Sequence, residues 1–281
     1  FTTRPMLPPN IVRQLELWLK TFTIMIEKIR KTGLLTKGFV YVLIGLLTLL
    51  AVLNVGGQVA GKSKLIGFLK DQPFGKFLLL LLTLGLLCYA AWRLCSAFLD
   101  TKNEGTDKKA LARRTAWFFS GLAYAAFGIS ALRSAFGNGG SGGDNKEQLV
   151  GTLLNQSYGE LVLYVVAAIF AGVAVYQFYK GASKKFMEEI DEMGSIESSE
   201  ALEKSGMLGY IARGVAFAIF AFFIIRASIE QNANNIRGVE GLFNFLHQQA
   251  WGNVLMGLMA FGLLCYGVFQ YFLARYSKIY T

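Results

Sequence analysis

The sequence predicts an all-α integral membrane protein. Six transmembrane helices form three parallel two-helix repeats with pseudo-threefold symmetry, preceded by an N-terminal amphipathic helix. Three observations predict this. Of 281 residues, 54% are hydrophobic and only 16% charged, whereas a soluble domain carries about 25% charge; mean hydropathy is +0.43. Stretches near 34–55, 74–99, 113–136, 158–181, 209–230 and 251–276 are apolar over about the 20 residues that a bilayer crossing needs. The chain also aligns with itself three times.

The repeat is visible at two landmarks. TKGFVYVLIG (36–45), FSGLAYAAFG (119–128) and ARGVAFAIFA (212–221) align without a gap, superimposing Gly38, Gly121 and Gly214, then Tyr41, Tyr124 and Phe217. Further on, Gln72, Gln156 and Gln249 coincide, followed by Phe74, Tyr158 and Trp251 and by Gly75, Gly159 and Gly252. Trp92, Tyr176 and Phe269 also align, each followed by Arg93, Gln177 or Gln270. Internal repetition dictates architecture, and an even number of spans per unit makes the repeats parallel rather than inverted. The boundaries expected are 1–31 for the amphipathic helix, then 32–105, 106–190 and 191–281 for the repeats.

Each unit is a helix, a loop, the Gln-x-aromatic-Gly threshold, a second helix and a linker. An aromatic ring at a helix entrance suits the headgroup level. The glycine after it leaves room for a neighbouring backbone, and Pro73 suits a first helical turn. Short apolar segments, LIGFLKDQ, LVGTLLNQ and GLFNFLHQ, precede the three thresholds and are expected to lie in the interface, rimming the bundle. The linker 183–206 is rich in acidic residues and reads as two short polar helices split at Gly194; the loop 137–148 is glycine-rich.

Lys and Arg concentrate in the N-terminal segment, the 100–113 loop, the 181–208 linker and the C-terminal tail. By the positive-inside rule both termini are expected to face the cytoplasm, with the protein in an inner membrane. The net charge of +10 is topogenic, and no nucleic-acid role is expected. The first thirty residues lack the apolar core and small-residue site of a cleavable signal peptide. In 10–31, Ile11, Leu15, Trp18, Phe22, Met25 and Ile29 share one helical face, giving either an interfacial anchor or a seam for another membrane protein.

The Gly-x-x-Tyr of the first helix, Gln-Pro-Phe-Gly, GLLCYAAWRL (85–94) and GYIARGVAF (209–217) resemble the bacterial membrane family known as domain of unknown function 1206. Ser157 and Gln177 depart from that pattern in the second repeat. The resemblance covers roughly residues 30–278 and implies six spans in three repeats, with no established activity or catalytic residues to carry over.

Carboxylates are absent from the middle of every span, which argues against proton- or sodium-coupled carriers. Cys88, Cys95 and Cys265 lie inside spans and His247 is the sole histidine, so neither a metal nor another cofactor is expected. No catalytic constellation appears, and the protein is expected not to be an enzyme. Candidate axial or lipid-contact positions are Gln72, Gln156, Gln249, Arg93, Arg133 and Arg226. Lys37 and Arg213, at matching helix ends, are expected to snorkel toward water. The function expected is a scaffold or accessory subunit that binds membrane lipids or other membrane proteins. The alternative is a transporter or channel with a pathway along the bundle axis.

Overall fold

A computed structural model of the chain describes residues 9–55, 62–99, 107–137, 150–190 and 196–276. These hold α1 (Pro9–Val52), α2 (Lys62–Lys70), α3 (Gly75–Leu99), α4 (Lys108–Ala135), a short α5 over 150–154, α6 (Gly159–Ala182), α7 (Ile196–Ile229), α8 (Val239–His247) and α9 (Gly252–Tyr276). There is no strand among the described residues. Six helices, α1, α3, α4, α6, α7 and α9, are long and apolar enough to cross a membrane.

The separate amphipathic helix expected over 10–31 does not form. α1 is one helix of 44 residues, about 66 Å at 1.5 Å per residue, so it carries straight on beyond a hydrocarbon core of about 30 Å. After Pro9, which sits in the first turn where its missing N–H costs nothing, no breaker follows. Gly33 does not interrupt the helix because it is a contact residue: a Cβ there would lie 2.5 Å from the Tyr89 Cα on α3. The linker differs from expectation for a similar reason. After Lys184, at φ 56°, comes a 3-10 helix, Lys185–Glu189, whose Phe186 is buried against Tyr210 and Phe269. α7 then runs unbroken from Ile196 into the fifth span; Gly194, the expected split point, lies outside the described residues.

The long helices pack side by side in the series α4, α3, α1, α9, α7, α6, and α4 faces α7 across the cavity described below. The most extensive seams join different repeats: α9 to α1, α3 to α4 and α6 to α7. The aligned glycines explain them. A Cβ on Gly38 would lie 2.9 Å from the Gly267 carbonyl oxygen of α9, one on Gly121 2.9 Å from Leu94 of α3, and one on Gly214 3.0 Å from the Phe178 ring of α6. Without large lipid-excluded area to gain, membrane helices associate through close packing of this kind.

Seams within a repeat are not equivalent. In the first repeat, Gly33 meets Tyr89 and Gly85 meets Thr36; in the third, Gly209 meets Tyr266 and Gly262 meets Ala212. Carried into the second repeat by the alignment, those positions hold Ala116 with Val173 and Phe119 with Ile169. α1 packs on α3 and α7 on α9, but α4 and α6 do not pack along their lengths. Phe119 is 62% and Ile169 58% exposed. Among the described residues the bundle is therefore open between α4 and α6, at the positions where side-chain bulk replaces glycine.

The short segments before each threshold turn their apolar faces onto the bundle. Leu65 and Leu69 of α2, Val150 of α5, and Leu242, Phe243 and Leu246 of α8 are all buried, and Lys64 pairs with Glu240 at 2.7 Å to tie α2 to α8. These faces close one end of the hydrophobic core. At the other end, Asp107 caps α4 through the Ala110 N–H at 3.0 Å. Arg114 donates to the Ala97 and Phe98 carbonyls at 2.7 and 2.8 Å, satisfying the C-terminus of α3.

Gly209→Val, which would place methyl groups where the Cβ alone is 2.6 Å from Tyr266 Cα, is expected to destabilise the bundle by about 1–3 kcal/mol. Gly172→Val, on α6 with nothing within 4 Å, should change stability by less than about 0.5 kcal/mol. Unfolding of both variants in detergent measures the contrast; equal losses would contradict the seam assignment.

Candidate site: a buried cation–tyrosine cluster

At the end of the bundle nearer the termini, α1, α3, α7 and α9 bring three cations onto two tyrosines. Lys37, only 4% exposed, donates from Nζ to the Tyr89 hydroxyl at 3.1 Å and to the Tyr266 hydroxyl at 2.8 Å. Arg93 Nε donates to the Tyr89 hydroxyl at 2.9 Å, and Arg213 donates to that of Tyr266. Lys37 does not snorkel, and Arg213 turns inward with it. In a bundle whose axis is lined with tyrosine, hydroxyl acceptors and ring faces lie closer than water.

The rings contribute as much as the hydroxyls. Lys37 Nζ lies 4.9 Å from the Tyr89 ring centroid and 5.0 Å from that of Tyr266. The Arg213 guanidinium carbon is 4.4 Å from the Tyr266 ring and Arg93 4.7 Å from Trp92. Tyr41 meets Tyr266 edge-on at 4.9 Å and Tyr124 meets Tyr89 at 4.5 Å. Cation–π attraction is worth about 2 kcal/mol or more when desolvated, and hydrogen bonds to charged groups about 1.5–3 kcal/mol. Each tyrosine oxygen accepts from two cations, neither of which can accept the proton that the hydroxyl itself carries. The cluster thus offers cations and hydroxyl donors together, a setting for an anion.

Toward the opposite end lies a cavity of about 60 Å³, partly open, between α1, α4 and α7. Arg213, Tyr41 and Tyr124 line it at the cluster; Phe127, Phe220 and Leu242 are among its apolar walls. That volume holds a few water molecules. Tyr41, Tyr124 and Phe217, superimposed by the repeat, all line it, so the cavity lies where the three first helices face one another. The depth of the cluster follows from helix rise: Arg213 is about 24 Å from the end of α7 and Lys37 about 22 Å from the end of α1. Both distances are shorter than a hydrocarbon core of about 30 Å is thick.

The other candidate positions lie elsewhere. Gln72 and Gln249 donate from Nε2 to the carbonyls four residues earlier, Phe68 and Phe245, at 3.2 and 3.1 Å. Gln156 occupies the same turn, its backbone N–H on Leu153 at 2.9 Å. The glycines of this threshold are sterically required: a Cβ on Gly75, Gly159 or Gly252 would lie 2.2 Å or less from a carbonyl oxygen of the preceding segment. Phe74 and Trp251 stand 84% and 81% exposed with φ of 63° and 62°, whereas Tyr158 has φ −100°. A left-handed aromatic costs about 1–3 kcal/mol. Arg133 is exposed near the end of α4. Arg226 is held by Glu230 at 2.7 Å, and the hydrogen bonds from Arg226 and Asn235 hold that carboxyl below its ordinary range. Of the six candidates, only Arg93 joins the cluster. Tyr89 and Tyr266 were not singled out by sequence; the signal was their alignment with each other across repeats, and with Val173 between.

Fold and site together define a multi-pass helical membrane protein whose three hairpin repeats enclose a small apolar chamber beneath a buried cationic cluster. The chain belongs to the family described as Domain of Unknown Function (DUF1206), whose model matches residues 32–100, 115–184 and 208–277. One similar protein, from Bacillus subtilis (strain 168), is 30% identical over 245 residues, 87% of this chain and 88% of the other, and is described as uncharacterized protein YxxB. No solved structure matches the chain.

Tyr266→Phe removes the acceptor shared by Lys37 and Arg213 and is expected to cost about 1.5–3 kcal/mol. Tyr271→Phe, on the exposed face of the same helix, should be near neutral. Thermal unfolding in detergent distinguishes them, and a neutral Tyr266→Phe would remove the hydroxyl from the account.

Proposed function

We infer that this chain is a non-enzymatic membrane protein that binds an anionic phospholipid, serving as a scaffold or accessory subunit in a bacterial inner membrane with both termini cytoplasmic. The observation that carries this reading is the cluster of Lys37, Arg93 and Arg213 on Tyr89 and Tyr266. Its distance along α1 and α7 from their far ends, about 22–24 Å by helix rise, supports a place near one face of a hydrocarbon core of about 30 Å, where a headgroup phosphate would reach it. The sequence supplies the charge asymmetry: stretches 28–52, 75–99, 110–135, 161–182, 204–229 and 252–276 carry no Asp or Glu. A partner helix fits the same reading at a second place. Leu17, Trp18 and Met25 are exposed on the part of α1 nearest the N-terminus, where the helix outruns the hydrocarbon core. A conducting pathway along the axis finds less support, since the chamber is small and its walls mostly apolar.

Native mass spectrometry of the gently extracted protein tests the lipid reading. Wild type should retain anionic phospholipid in preference to phosphatidylcholine, and Lys37→Met with Arg213→Gln should lower that retention at least fivefold. Arg213→Lys, which keeps the charge, should recover part of it. Equal retention of anionic and zwitterionic lipid, indifferent to these substitutions, would refute the proposal.

A further inference from the structure

The open seam between α4 and α6 lies next to the chamber, and the two features have one explanation. We propose that this seam is a lateral entrance from the membrane, through which one acyl chain of the bound anionic phospholipid reaches the central cavity. The inference rests on the lipid reading above and adds the route and the place of the chain.

The entrance is encoded in the second repeat. Two close contacts shut the corresponding seams of the first and third repeats, Gly33 with Tyr89 and Gly85 with Thr36, then Gly209 with Tyr266 and Gly262 with Ala212. Their counterparts, Ala116 with Val173 and Phe119 with Ile169, cannot approach as closely, because each pair places a side chain on both helices where a glycine would permit backbone contact. Lys37 and Arg213 also have a counterpart in this repeat, Ser120. The second repeat therefore lacks both the closing contact and a cation at the position of Lys37 and Arg213, and both differences fall on the same side of the bundle.

The cavity is walled by residues of α1, α4, α7, α8 and α9, with none from α3 or α6. On the α4 side stand Tyr124 and Phe127. On the other, Phe170 of α6 packs its ring on Phe217 and Phe220 of α7 at 5.7 and 6.4 Å. Aromatic and aliphatic groups on both sides would accept a hydrocarbon chain without leaving a polar group unsatisfied.

Charge selects the lipid. Arg213 both lines the cavity and belongs to the cluster. A guanidinium has five N–H donors; the Tyr266 hydroxyl accepts from this one, and a phosphate oxygen is the acceptor best matched to the planar fork. A chain in the slot would then run from a headgroup at Arg213 toward Phe127, Phe220 and Leu242, parallel to the lipids around it. A second protein helix would fill the slot but would leave the cations to neutral neighbours.

The test uses the full chain in vesicles of phosphatidylcholine containing either a photoactivatable phosphatidylglycerol or a photoactivatable phosphatidylcholine, each with the reactive group midway along one acyl chain. Cross-linked residues are mapped by peptide mass spectrometry. With phosphatidylglycerol, labels should concentrate on Phe127, Phe170 and Phe220, at least fivefold above the outward residues Leu84 and Leu258. The double variant Phe119→Ala with Ile169→Gly, which restores the closing pair of the third repeat, should lower the labelling of Phe127 and Phe220 at least threefold while headgroup retention persists. A variant that fails to fold is replaced by Phe119→Ala alone, with the same expected direction. Retention dependent on Lys37 and Arg213, but with labels spread evenly over the outer surface, would overturn the lateral entrance and leave the headgroup site standing. Loss of the anionic preference in both retention and labelling would overturn the two together. Chamber labelling equally strong with phosphatidylcholine would show a chain slot without charge selection and would also contradict the proposal.

Discussion

Backbone approach at glycine sets the spacing of every packed seam in this bundle, and the rest of the structure follows from where that approach is possible. Gly38 and Gly267 bring α1 and α9 together; Gly121 and Gly128 of α4 lie against α3; Gly181 and Gly214 join α6 to α7. Within repeats, Gly33 and Gly85 serve one hairpin and Gly209 and Gly262 another. Helices in lipid gain little from burying apolar surface, because the tails are as apolar as the side chains, so the fit of one backbone against another decides association. Where the glycines are missing, between α4 and α6, the bundle is open.

The same close approach creates the polar site. Gly33 and Gly209 lie directly against the backbones of Tyr89 and Tyr266, fixing the two tyrosines where their hydroxyls meet between α1, α3, α7 and α9. Lys37 then lies within hydrogen-bond distance of both. A buried ammonium in an apolar layer is costly. Here two hydroxyl oxygens and the ring faces offset that cost, and the charge so held is what the proposed anionic guest would meet. Steric fit and electrostatics are thus two consequences of one pair of glycine positions.

Much of the fold was legible in the sequence, since hydrophobic stretches, repeated landmarks and the glycines at 38, 121 and 214 all report on local pattern. The continuity of α1 was not, because the change from an amphipathic to an apolar face near residue 31 resembles a boundary although no breaker stands there. Lys37 and Arg213 were visible but were assigned to water, as a cation near the end of an isolated helix would be. Their tyrosine partners come from other helices and become apparent only when the seams are known. Likewise Ala116, Phe119, Ile169 and Val173 are ordinary membrane residues until Gly33, Thr36, Gly85 and Tyr89 reveal which positions close a hairpin.

The central claim, that two hairpins are closed and one is open, is tested most directly by distances between spin labels in lipid nanodiscs. Pairs placed at equivalent outward positions midway along α1 and α3, α4 and α6, and α7 and α9 would be compared by pulsed electron paramagnetic resonance. The account predicts closely matching distances for the first and third pairs and a longer, separate distance for α4 and α6. Three indistinguishable distances would mean that the second repeat closes like the others and would contradict it.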